Sequence, residues 1–83
     1  MYMGIGEQLF ELSNGNYIFV QDYSEGGYDF EYIDGDTRLG IDGGVLEDEC
    51  NSDEEVMTKI MDELGLSDCT YGLSSLDYYE DFA

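Results

Sequence analysis

Gly26-Gly27-Tyr28-Asp29-Phe30-Glu31-Tyr32-Ile33-Asp34-Gly35-Asp36 decides how this chain folds. Aromatic and acidic side chains alternate through it with a period of two, the pattern of a strand with one face buried and the other in water. Tyr28, Phe30 and Tyr32 make the buried face; Asp29 and Glu31 make the wet one. Asp34-Gly35 follows, a dipeptide suited to the two positive-φ positions of a type I′ hairpin turn. A returning strand is therefore expected, with Tyr32 opposite Thr37, Phe30 opposite Leu39 and Tyr28 opposite Ile41. On the outer face this register sets Glu31 beside Arg38 as a cross-strand ion pair.

Upstream, Leu9-Phe10-Glu11-Leu12 and Tyr17-Ile18-Phe19-Val20-Gln21-Asp22-Tyr23 flank Ser13-Asn14-Gly15-Asn16. A two-residue turn at Asn14-Gly15 pairs Leu12 with Tyr17 and Phe10 with Phe19 on one face, and Leu9 with Val20 and Glu11 with Ile18 on the other. Ser24-Glu25-Gly26-Gly27 then reverses the chain and sets Tyr23 opposite Tyr28. The two hairpins join in a four-stranded antiparallel meander with one aromatic face, leaving Ile18, Val20 and Ile33 on the second face.

Downstream, Ser52 and Glu55 have capping-box spacing. A helix is expected from Asp53 to Leu64, with Val56, Met57, Ile60, Met61 and Leu64 as its apolar stripe and Gly65 as its stop. Asp53, Glu54 and Glu55 suit the positive end of the helix dipole, and Glu55 with Lys59 forms an i,i+4 pair. This amphipathic helix laid on the aromatic face of the sheet completes a two-layer α+β domain over residues 1–83. Ser67 to Gly72 reads as a loop. Leu73 to Phe82 reads either as a short C-terminal helix, with Leu76, Tyr79 and Phe82 inward, or as an acidic end.

Charge limits the partners. Asp and Glu number 21 against one Lys and one Arg, a net charge of −19. Such a field repels nucleic acid and anionic membranes and attracts basic surfaces. A composition that is 42% hydrophobic and 14% aromatic separates the chain from acidic disordered segments. No apolar run approaches the roughly 20 residues of a membrane span, so a cytoplasmic protein is expected. Histidine is absent, which removes the commonest general base and the commonest zinc ligand. Cys50 and Cys69 read as free thiols in a reducing compartment, without a His to activate either. Phosphate-binding and dinucleotide fingerprints are missing. Asp34-Gly35-Asp36 and Glu47-Asp48-Glu49 offer oxygen ligands, but the spacing of an EF-hand is absent. No catalytic residue, cofactor or metal is expected.

The carboxylates fall in three patches. Asp22, Asp29 and Glu31 lie on the sheet; Glu47, Asp48, Glu49, Asp53, Glu54 and Glu55 lie at the helix start; Asp77, Glu80 and Asp81 lie in the tail. Solubility asks for a net charge of only roughly 2–8 in a small domain. Halophily accounts for evenly spread acids better than for clusters beside aromatics. DNA, by contrast, carries one charge per about 1.7 Å of axis, and its binders line their channels with Lys and Arg. The function expected from these patches is that of a stoichiometric DNA mimic that occupies a basic nucleic-acid-binding protein. The alternative is a non-mimic interaction module, an adaptor or antitoxin-like partner of a basic protein surface.

Gly27-Tyr28-Asp29-Phe30-Glu31-Tyr32, followed by Ile41-Asp42-Gly43-Gly44-Val45-Leu46, resembles small acidic proteins of phages and mobile elements. These carry a similar Gly-Tyr-Asp-aromatic strand and an Asp-Gly-Gly turn ahead of a helix. Similar proteins include anti-CRISPR and antirestriction inhibitors that mimic DNA. The resemblance implies an inhibitor of host defence, acting on a CRISPR-Cas effector or a restriction enzyme inside the host cell. It carries over no binding residue, because the acidic patches of such inhibitors share no motif.

Overall fold

A computed structural model describes residues 5–22 and 27–74. In chain order it contains β1 (Gln8–Leu12), β2 (Tyr17–Asp22), β3 (Tyr28–Ile33), β4 (Gly40–Leu46), α1 (Asp53–Glu63) and β5 (Tyr71–Ser74). The strands form one antiparallel sheet in the order β4-β3-β2-β1-β5, with α1 packed on one face. Among the described residues the α+β architecture, the meander and the single helix agree with expectation, and the sheet has five strands rather than four.

Turn length decides which side chains meet the helix. Gly15 takes φ 91° but Asn14 does not enter the positive-φ region, so Asn14-Gly15 is not a type I′ turn. The loop has three residues. Gly15 N donates to Leu12 O at 3.0 Å and Leu12 N to Asn16 O at 2.9 Å, a tight turn closed by a left-handed glycine. The extra residue moves the register by one, so Phe10 faces Ile18 and Leu9 faces Phe19. A one-residue slip turns a strand over completely. Ile18 and Val20 therefore belong to the helix face with Phe10 and Leu12, while Tyr17 and Phe19 join Leu9 and Ile33 on the other. β3 follows the same register, with Val20 opposite Phe30 and Tyr28 opposite Asp22 instead of Tyr23. Tyr23 and residues 24–26 lie outside the described residues.

The second hairpin also departs from a two-residue turn, since neither Asp34 nor Gly35 has positive φ. The Asp34 carboxylate accepts from the amides of Asp36 at 2.8 Å and Thr37 at 3.0 Å, winding 34–38 into a single helical turn. Arg38 N donates to Asp34 O at 2.8 Å, and Arg38 ends the turn at φ 63°. The longer loop slides β4 along β3. Phe30 faces Gly44, Tyr28 faces Leu46 and Glu31 faces Gly43, so Arg38 is not the cross-strand neighbour of Glu31. The two turns are docked on each other. Gly35 N donates to Asn16 Oδ1 at 3.0 Å, and Tyr32 Oη accepts from Asn14 Nδ2 at 2.9 Å and Asn16 Nδ2 at 2.8 Å.

α1 starts as the spacing predicts. Ser52 Oγ accepts from Glu55 N at 3.1 Å, and Glu55 Oε2 reaches back to accept from Asn51 N at 2.7 Å. It ends at Leu64 with Gly65 at φ 74°, where Leu66 N donates to Met61 O at 2.7 Å and Gly65 N to Asp62 O at 3.1 Å. Val56, Met57 and Ile60 are fully buried and Met61 nearly so, against Phe10, Leu12, Ile18, Val20, Tyr28, Phe30 and Leu46.

The stretch expected as a loop and helix start supplies the fifth strand. Leu12 pairs with Tyr71 and Phe10 with Leu73. Ser13 and Thr70 fasten the end of this pairing, through Ser13 N to Thr70 O at 2.9 Å and Thr70 N to Ser13 Oγ at 3.0 Å. Tyr71 meets Phe10 edge to face, with ring centroids 5.6 Å apart. Leu73 and Ser74 are thus strand; the rest of the expected C-terminal helix lies outside the described residues.

Gly35 allows the turns to dock: a Cβ on it would stand 1.9 Å from the Gly15 carbonyl oxygen, whereas one on Gly72 would meet nothing within 4 Å. Gly35→Ala is expected to cost about 1–3 kcal/mol in urea unfolding, by forcing the turns apart. Gly72→Ala should stay within about 0.5 kcal/mol of wild type. Equal effects would show that the turns do not rest on one another.

Candidate acidic binding surface

Some of the acids singled out by pattern are used by the fold. Asp22, at the end of β2, accepts from Ile5 N at 3.2 Å through Oδ1 and from Gly6 N at 3.0 Å through Oδ2, tying the incoming chain to the sheet. Glu55 holds the start of α1 and lies 3.9 Å from Lys59 Nζ. Asp48 approaches the same ammonium at 3.5 Å. Lys59 is thereby bracketed by two carboxylates, each exposed pair being worth up to about 1 kcal/mol.

Asp29 and Glu31 are brought together on the second sheet face. They line a shallow groove with Phe19, Gln21, Phe30, Gly44 and Val45. Glu47, Asp48 and Glu49 follow β4 and are exposed, as are Asp53 and Glu54 in the first turn of α1. The acids at the helix start do not form one patch, because the helix divides them. Glu47 and Asp48 share a groove with Lys59, Asp62 and Glu63 between the end of β4 and α1. Glu54 and Asp53 act on the other flank. There burial, and then these two charges, raise the pKa of the Tyr71 hydroxyl. Asp77, Glu80 and Asp81 lie outside the described residues.

Asp62 and Glu63 were missed because the acids were read as runs along the chain. The signal was present in their position: three and four residues after Lys59, they fall on the same helical flank. Asp42 was also passed over. Its Oδ1 accepts from Gly43 N at 2.8 Å on the edge strand.

Burial pushes the Cys50 thiol up; Lys59 opposes the shift, and Glu55 and Asp48 reinforce it, which disfavours the nucleophilic thiolate. Cys50 and Cys69 are both free. Among the described residues no three acidic or thiol side chains are grouped to hold a metal ion. No helix among them is long and apolar enough to cross a membrane.

Asp34 ties one carboxylate to turn geometry. The amides of Thr37 and then Asp36 hold its pKa below the ordinary 3.8. A depressed carboxylate stabilises the fold above its unfolded pKa, and the contribution is lost as pH falls through the folded value. Wild type should therefore melt higher than Asp34→Ala near neutral pH, with the gap closing below about pH 4. A gap independent of pH would rule out a role for the charge.

The profile of the large polyvalent protein-associated domain 16 family matches residues 5–81, and the chain belongs to that family. No curated protein and no solved structure matches it significantly.

Proposed function

We propose that this polyvalent-protein-associated domain is an acidic binding module that occupies a basic surface of a nucleic-acid-binding protein. In this reading it keeps nucleic acid off that surface as a stoichiometric mimic of the phosphate backbone. One observation carries the reading: Glu47, Asp48, Asp62 and Glu63 line a single groove whose one cation, Lys59, is already bracketed by Asp48 and Glu55. The groove presents negative charge outward, and a Lys- or Arg-lined channel is its complement. Counterion release from that channel would supply much of the affinity, as it does for DNA. A host-defence protein in the cytoplasm, a CRISPR-Cas effector or a restriction enzyme, is the partner class to test first.

The family's association with large polyvalent proteins favours a second reading, in which the same surface tethers a basic protein without displacing its nucleic acid. Competition separates the two. A CRISPR effector and a restriction enzyme, each loaded with the domain, are titrated with duplex DNA. Mimicry predicts mutual exclusion, with an affinity that falls about tenfold or more over a threefold rise in salt. The double variant Glu47→Lys/Glu63→Lys should lose about tenfold in affinity while melting no lower than wild type. A ternary complex with DNA would sink mimicry and leave the tether. Undiminished binding by the double variant would sink this groove as the contact.

A further inference from the structure

We infer that the outer edge of β4 receives an extended, arginine- or lysine-bearing segment of a partner protein as an added strand. β4 is an edge of the sheet and, with seven residues, its longest strand. Among the described residues no strand pairs with its outer side. Natural edges are usually blunted by lysine, proline or shortness, because their unpaired N–H and C=O groups are templates for another chain. Gly40–Leu46 contains neither lysine nor proline. Ile41 is 52% and Val45 41% exposed.

A register shift at Ile41, where Tyr32 pairs with Asp42 but Ile33 with Gly40, disrupts one end of the edge; along Asp42–Leu46 the guard is acidic. Gly43 N–H is bonded to Asp42 Oδ1 at 2.8 Å rather than to β3. Since N–H groups alternate in direction along a strand, Val45 also presents its amide to the edge. Asp42 thus covers an edge donor that an added strand would need. Asp42 stands opposite Tyr32 on the helix face, so a cation on that face of the incoming strand would draw the carboxylate off; a neutral strand would not. A second copy of this chain would bring another charge of −19 to the same line, so charge selects a basic segment over self-pairing.

The second face supplies a seat for the cation. Gly43 lies opposite Glu31 and Val45 opposite Asp29. Gly43 has no side chain to stand between the edge and Glu31, whose carboxylate leans toward Gly40, where a Cβ would lie 3.6 Å from Glu31 Cδ. An arginine facing Gly43 from an added strand must cross two strand spacings, about 10 Å, which the combined lengths of Arg and Glu side chains span. Its stem would lie beside Val45, and its guanidinium would enter the groove of Asp29 and Glu31. Main-chain pairing gives affinity in such complexes, and alternate side chains give selectivity. The inference stands whether or not the acidic groove beside α1 displaces nucleic acid.

The test uses the full chain and three peptides of about nine residues. One is a valine strand with two adjacent central arginines, so that one cation faces Asp42 and the other the groove of Asp29 and Glu31. The second is the same peptide N-methylated at two consecutive central residues, which blocks both edges. The third alternates Glu and Val. The arginine peptide should slow hydrogen exchange at Gly43 and Val45 and bind about tenfold tighter than its methylated form, and the glutamate peptide should not bind. Val45→Lys should abolish the protection, and Leu73→Lys on the opposite edge strand should leave it unchanged. Asp42→Asn keeps the acceptor but removes the charge, and should weaken the arginine peptide severalfold. Equal binding of the methylated peptide, protection elsewhere, absence of binding, or dimerisation of the free chain through β4 would each overturn the inference.

Discussion

Ile18 and Val20 reach the helix because the β1–β2 hairpin turns over three residues. That register is the constraint on which the remaining structure depends. It places Phe10, Leu12, Ile18 and Val20 on one face, where Val56, Met57 and Ile60 of α1 can be fully buried against them. Each such side chain contributes about 1.5–3 kcal/mol when taken out of water. The same register sends Leu9, Tyr17 and Ile33 to the other face, where they are also buried. β3 inherits its phase from β2, and β4 from β3. The acids follow: Asp29 and Glu31 stand on the second face because Phe30 stands on the first.

The carboxylates divide by use. Asp22, Asp34 and Glu55 accept from backbone amides that would otherwise lack partners at a strand end, a turn and a helix start. Asp42 does the same on the edge of the sheet. Glu47, Asp62 and Glu63 line the groove beside Lys59 and are exposed. A small core holding this much like charge in fixed positions works against its own repulsion. Exposed acids grouped in one groove are what the proposed binding surface for a basic partner would require.

Much of this was legible in the sequence, because periodicity is a property of neighbouring residues. The strand at Tyr28–Ile33, the capping at Ser52 and Glu55, the apolar stripe of α1 and the stop at Gly65 all depend on local spacing. Register was not legible, because it depends on what turns do in three dimensions. Asn14-Gly15 and Asp34-Gly35 share a dipeptide type that favours two-residue turns. In the structure Asn16 pulls Gly35 toward the first turn, and Asp34 spends its carboxylate on two amides. β5 was invisible for a related reason: Tyr71-Gly72-Leu73-Ser74 is short and contains a glycine, and only its pairing with β1 makes it a strand. The acidic surface was visible as composition. Its division by α1, and the membership of Asp62 and Glu63, became apparent only with the helix in place.

The central claim is that the groove acids are displayed against the interests of the fold. Replacing Glu47, Asp62 and Glu63 together by their amides, Gln, Asn and Gln, and measuring the melting temperature at low salt, tests it directly. Relief of repulsion predicts that the neutralised variant melts higher than wild type, and that the difference shrinks as salt is added. A variant that melts lower, at any salt concentration, would show that these carboxylates serve the fold, and would contradict the claim that they are held for a partner.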